Sequence, residues 1–148
     1  MVEKMEYSFS PMPLGNTYPH LVWVDCEMTG LDTANDVLVE IAVLVTDSEL
    51  NIIGEGVDVV IKASADQIAG MNDFVTKMHT DSGLITEIPN GISVSDAEEL
   101  IIKYLESAGV ASGKSPLAGN SVYVDRIFIT RDMPRSEEHT SELQSLRH

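Results

Sequence analysis

Residues 36–47, DVLVEIAVLVTD, form a nearly continuous apolar run rich in Val and Ile. Such a run belongs to a strand in the middle of a sheet, where both faces are covered and simple alternation disappears. It has candidate neighbours on both sides in the sequence. Leu21–Met28, LVWVDCEM, reads as a strand before it, and residues 52–61, IIGEGVDVVI, as a third strand with a glycine-rich irregularity. The spacers are short, so the three are expected to form an antiparallel meander.

Helical signals follow. Residues 64–79 read as one or two short helices interrupted near Gly70. Ser95 with Glu98 has the spacing of a capping box. After it Ala97, Leu100, Ile101, Tyr104, Leu105 and Ala108 recur at helical spacing, and Gly109 ends the run. The loop VASGKS leads to a short strand at residues 116–119, and a last helix is expected over residues 122–133. Three strands, a helix, a strand and a helix make an α/β domain with a mixed sheet. Residues 1–19 carry Pro11, Pro13 and Pro19 without periodicity and read as a flexible leader.

Composition narrows the partners. The 148 residues suit one domain, with 24 Asp+Glu against 9 Lys+Arg for a net charge of −15. Such a chain has no basic surface to grip long nucleic acid. Either nucleic acid is no partner, or it is held locally with bound cations offsetting acidic ligands. A single cysteine excludes an internal disulfide and a Cys-rich zinc site. No apolar stretch is long enough to span a membrane, and the first twenty residues resemble neither a secretory signal nor a transit peptide. The expected location is therefore intracellular, cytoplasmic or mitochondrial.

Asp25 and Glu27 lie two apart in a strand, so both carboxylates fall on one face between apolar neighbours. Two like charges so placed repel and lose hydration, an arrangement that makes sense if a divalent cation bridges them. Hard oxygen ligands suit Mg²⁺ or Mn²⁺. The alternative is a strand whose acidic face meets solvent. Asp125 sits where a short strand gives way to a helix, a junction that often presents site residues; the alternative is an acid favoured by the helix dipole in the first turn. Cys26 points to the opposite face and reads as core. Glu40, inside the apolar strand, has no evident role.

The blocks VWVDCEMTGLD, VEIAVLVTD, MNDF…HTDSGL and PLAGNSVYVDRIF, in that order between Leu21 and Pro134, resemble oligoribonuclease of the DEDD 3′→5′ exonuclease superfamily. The resemblance implies a ribonuclease H-like fold, a five-stranded mixed sheet flanked by helices. It implies hydrolysis of short single-stranded RNA oligonucleotides to nucleoside 5′-monophosphates, with two Mg²⁺ or Mn²⁺ ions held by four carboxylates beside a general-base His. By matching motif, Asp25, Glu27 and Asp125 are three of those carboxylates and metal ligands. Leu31 and Phe74 fall where the family packs terminal bases, His79 where it has a site His near the substrate phosphate, and Ser121 at a polar position beside the 3′ end. The family tends to form homodimers. The rival reading is a non-catalytic module of the same fold that binds an oligonucleotide or a partner protein.

The sequence departs from the family pattern after Met133-Pro134. The HYRxxDVST-type segment and the HxAxxD-type block that would carry the general base and the fourth Asp are absent. Residues 135–145, RSEEHTSELQS, coincide one for one with the translation of a common sequencing-library adapter. Residues 20–134 are therefore read as a partial exonuclease domain, and 135–148 as a non-native tail in which His139 is no credible base. The tail is expected to lack fixed contacts. Without a fifth strand and its helices, the fragment is expected to expose apolar surface and to be inactive.

Overall fold

The computed structural model describes residues 18–140. Four strands form one sheet: β1 (His20–Met28), β2 (Leu38–Asp47), β3 (Ile52–Val60) and β4 (Leu117–Ala118), in the order β3-β2-β1-β4. The Val/Ile-rich run is thus internal, paired antiparallel to β1 on one side and to β3 on the other. β4 pairs parallel to β1 through Val22 and Trp23. The helices are α1 (Ala65–Ala69), α2 (Asp73–Asp81), α3 (Leu84–Glu87), α4 (Val94–Ser107), α5 (Val122–Asp132) and α6 (Pro134–Glu138).

Alternation along β1 sets the layers. Val22, Val24, Cys26 and Met28 are buried and join Ile41 and Val43 of β2 in a core closed by Ile101 and Leu105 of α4 and by Phe128 and Ile129 of α5. Fully burying side chains of this size stabilises by about 1.5–3 kcal/mol each. A smaller cluster, Val39, Ala63, Leu84 and Ile88, anchors the α1–α3 region. Gly70 separates α1 from α2 as expected.

The irregularity expected in the third strand lies at the β2–β3 ladder, whose register shifts between Val43 and Val45 while Gly54 and Gly56 adopt φ of 72° and 74°. Tyr104 of α4 repairs the ladder there. Its hydroxyl accepts from the Val45 N–H at 2.9 Å and donates to the Ile53 carbonyl at 2.5 Å.

One expectation needs correction. The N-cap of α4 is Ser93, whose hydroxyl accepts from the Asp96 N–H at 3.1 Å, not Ser95. Glu98 is turned inward, buried, and accepts from the Ser136 N–H at 3.3 Å instead of closing a capping box. Residues 135–140, expected to lack fixed contacts, do hold them. Arg126 pairs with Glu137 at 3.2 Å, Ser112 Oγ donates to the Glu138 carbonyl at 2.7 Å, and Ser136 and Thr140 are buried. The core around Val22, Leu117 and Ile129 therefore has a covering. The fit is imperfect, because Ser136 Oγ is buried without a hydrogen-bond partner beside a void of about 20 Å³. Among the described residues no helix is long and apolar enough to cross a membrane.

Candidate active site

The β1 residues between the core positions face the other way. Trp23, Asp25 and Glu27 stand opposite Leu44, Ala42 and Glu40 of β2. Asp25 is exposed and Glu27 half-buried. The two carboxylates predicted to share a face do share it. The register adds what spacing alone could not show: Glu40 lies directly across from Glu27, a like-charged pair that is destabilising by itself. Burial, then Asp58, Glu27 and other nearby acids, raise the Glu40 carboxyl above the usual carboxylate range. An acid inside an apolar strand was the signal available in the sequence.

Asp125 reaches the same acidic group from α5. The turn before that helix closes tightly, for Gly119 has φ of 149° and a Cβ there would meet the Val24 carbonyl at 2.6 Å. Only glycine permits that approach. β4 pairs with β1 only at Val22 and Trp23, which leaves the β1 edge beyond it open to α5. The Cys26 N–H, between Asp25 and Glu27, is bonded to the Asp125 carboxylate.

Asp125 is 6% exposed, and its pKa is raised to about 7, first by burial and then by the charges of Asp25 and Glu27, against the opposing Cys26 hydrogen bond. Burial, with Asp25 adding, also raises Glu27, and His79 opposes the rise. Burial first, and then the charges of Asp125, Asp25 and Glu27, push the Cys26 thiol up, which keeps it an inert core group.

His79, in the last turn of α2, is 1% exposed, and its Nε2–H donates to the Met28 carbonyl at 2.8 Å. The ring has no face open to solvent in this arrangement. It holds the end of β1 one residue beyond Glu27 and lines, with Glu27, Glu40 and Glu87, a pocket of about 190 Å³.

Leu31 is 72% exposed and Phe74 77%, so neither is a core residue. Met78, one turn after Phe74 and 41% exposed, extends the same apolar strip; its i+4 spacing from Phe74 was the available signal. Ser121 is exposed, precedes α5 with φ of 52°, and makes no capping hydrogen bond. An open cleft of about 580 Å³ runs beside Asp25, lined by Trp23, Leu44, Gly56, Asp58 and Asn120.

The donor set consists of hard oxygens whose mutual repulsion a cation would relieve. The side chains are not converged: among the described residues no group of three His, Cys, Asp or Glu is placed to hold a metal ion. His139 stands 4.0 Å from Glu106 at the end of α4.

Comparison with known proteins supplies the family. The chain is 50% identical over 119 residues to an oligoribonuclease of Cutibacterium acnes, covering 80% of this chain and 59% of that protein. It is 54% identical over 115 residues to an oligoribonuclease of Rhodococcus jostii, covering 77% and 58%. The chain thus spans somewhat more than half the length of these curated relatives. Among solved structures it resembles E. coli exonuclease I in complex with an oligonucleotide, with a TM-score of 0.59 and 19% identity over 82% of this chain and 27% of that one. Cell-death related nuclease 4 is similar at a TM-score of 0.57 and 15% identity, over 76% of this chain and 40% of that one. At such identities the likeness establishes the exonuclease fold, which is the mixed sheet with helices described above. Residues 22–147 match the RNase T exonuclease family model, and the chain belongs to that family.

Proposed function

We propose that residues 20–134 are part of the catalytic domain of a metal-dependent 3′→5′ exoribonuclease that degrades very short single-stranded oligoribonucleotides to nucleoside 5′-monophosphates. The observation that carries this reading is the grouping of three carboxylates from two elements. Asp25 and Glu27 share one face of β1, and the buried Asp125 comes to that same group from the first turn of α5. Asp25, Glu27 and Asp125 would hold Mg²⁺ or Mn²⁺, which when bound activates a water and stabilises the leaving oxygen.

The chain's own residues perform the rest. The Cys26 N–H orients Asp125, and Asp125 bridges α5 to the β1 edge. Glu40 sets a further carboxyl group across from Glu27 on β2. His79 fixes the strand end after Glu27 through its bond to the Met28 carbonyl. Leu31 and Phe74 offer apolar surface to unstacked bases, and the unused Ser121 hydroxyl is available to a 3′ end. A few phosphates held this way need no basic groove, which accommodates the net charge of −15. As a further part of the proposal, the enzyme is a homodimer working in the cytoplasm or mitochondria.

The test is Asp25→Asn in the full-length enzyme, assayed on a labelled RNA dinucleotide in Mg²⁺. Hydrolysis should fall by at least about two orders of magnitude with the fold intact. Activity near that of the unsubstituted enzyme would refute the assignment.

A further inference from the structure

The loop that carries Leu31, residues 29–37, is held from two sides. Within it, the Asp36 carboxylate accepts from Thr29 Oγ1 at 2.8 Å and from the Asp32 N–H at 2.9 Å, while Thr29 Oγ1 accepts from the Val37 N–H at 3.0 Å. Gly30 has no room for a side chain, since a Cβ would run into that same carboxylate. Leu31 projects to solvent at 72% exposure. Packing therefore does not fix its position; the hydrogen bonds of its loop do.

From outside the loop, Arg131 in the last turn of α5 reaches across. Nη1 donates to the Thr33 carbonyl and Nη2 to the Asp36 carbonyl, each at 2.8 Å. The guanidinium is aimed by Asp132, which accepts from Nε at 2.8 Å and Nη2 at 2.7 Å, and it lies 5.0 Å from the centre of the Phe128 ring. Phe128 is fully buried, so the platform under the guanidinium is fixed. A planar fork making two directed bonds to carbonyls is a task for Arg that Lys performs poorly. An exposed ion pair of adjacent residues contributes little on its own. The value of the arrangement lies in what it connects: α5 also carries Asp125.

We propose that Arg131 is a positioning residue that fixes Leu31 relative to the three carboxylates, and so sets where a terminal base sits when its phosphate meets the acidic face. This rests on the functional reading above. A residue acting this way governs binding of substrate more than the chemical step. In the full-length enzyme, Arg131→Met, which keeps an apolar stem over Phe128, should raise KM for a labelled RNA dinucleotide about tenfold while kcat stays within about twofold. Arg131→Lys should recover part of the loss. Amide hydrogen exchange of Asn35 and Asp36, both bonded to the Asp32 carbonyl, should quicken in Arg131→Met.

An unchanged KM in both variants, whatever the melting temperature does, overturns the proposal, as does faster loop exchange with no change in KM. If either variant does not fold, the other decides by the same criteria. An unsubstituted enzyme that does not cleave RNA refutes the functional reading and the substrate role together, whereas an active one with unchanged KM in the variants refutes Arg131's role alone. The exchange measurement, which needs no activity, shows separately whether the clamp itself holds.

Discussion

Asp125→Asn is expected to make the metal-free protein more stable while weakening its response to divalent cations. The folded pKa of Asp125 is about 7 against an ordinary 3.8. A carboxyl raised in the folded state holds a proton that the unfolded chain has released. Its favourable contribution is fully present below about pH 4 and is lost as the pH rises through about 7. Three units correspond to about 4 kcal/mol at pH 8. The group borders the solvent-facing acidic patch, so screening reduces this to roughly 2 kcal/mol. Asn mimics the protonated acid, can still accept from the Cys26 N–H, and avoids that loss. For a domain of this size the expected gain is roughly 8 °C in Tm at pH 8 and almost none at pH 4. Thermal melts of the 148-residue chain and its Asp125→Asn variant at both pH values, with EDTA, measure it. Saturating Mg²⁺ should then stabilise the unsubstituted chain by about 2.7 kcal/mol at a hundredfold excess over Kd, and the variant less. A variant less stable than the parent at pH 8, or an offset identical at the two pH values, would refute the electrostatic argument.

Other outcomes follow from the same geometry. Phe74→Ala should weaken affinity of the full-length enzyme for short RNA by about 1–3 kcal/mol with little change in Tm, because the ring is already exposed; calorimetric titration in Ca²⁺ measures the first and a melt the second. Tyr104→Phe should destabilise by about 1–3 kcal/mol, read by urea denaturation, since it orphans the buried Val45 N–H and leaves the Ile53 carbonyl unpaired. Deleting residues 135–148 should lower Tm by several degrees, because Ser136, Glu137 and Thr140 lie over the core near Leu117 and Ile129. An unchanged melt would restore the expectation that the tail makes no difference.

The period-two pattern made β1 legible in the sequence, along with the shared face of Asp25 and Glu27, because strand geometry leaves one answer. The cap of α4 was not settled in the same way. Ser93 with Asp96 and Ser95 with Glu98 have the same spacing, and the choice is made by Glu98 turning inward to Ser136, a contact thirty-eight positions away. Leu100 continues the apolar pattern yet is 44% exposed, while Ile102 breaks it and is buried. Glu40 gained meaning only from register, which sets it opposite Glu27. His79 resembled a site residue by its block, but its burial against Met28 depends on how α2 docks. Arg131 was invisible, since its partners on the 29–37 loop lie 95 and 98 positions earlier.

Tyr104 has a consequence for how the sheet assembles. Its hydroxyl takes a proton donor from one strand and supplies one to the next at the point where the ladder between them falters. A slip of β3 by one residue would move the Ile53 carbonyl out of reach and turn every β3 side chain to the opposite face. α4 thus contributes to fixing the pairing: a one-residue slip would take away one of the two partners of its hydroxyl. The strand at the edge of the sheet, weakened by its glycines and half open to solvent, is tied to its neighbour by a helix that follows later in the chain.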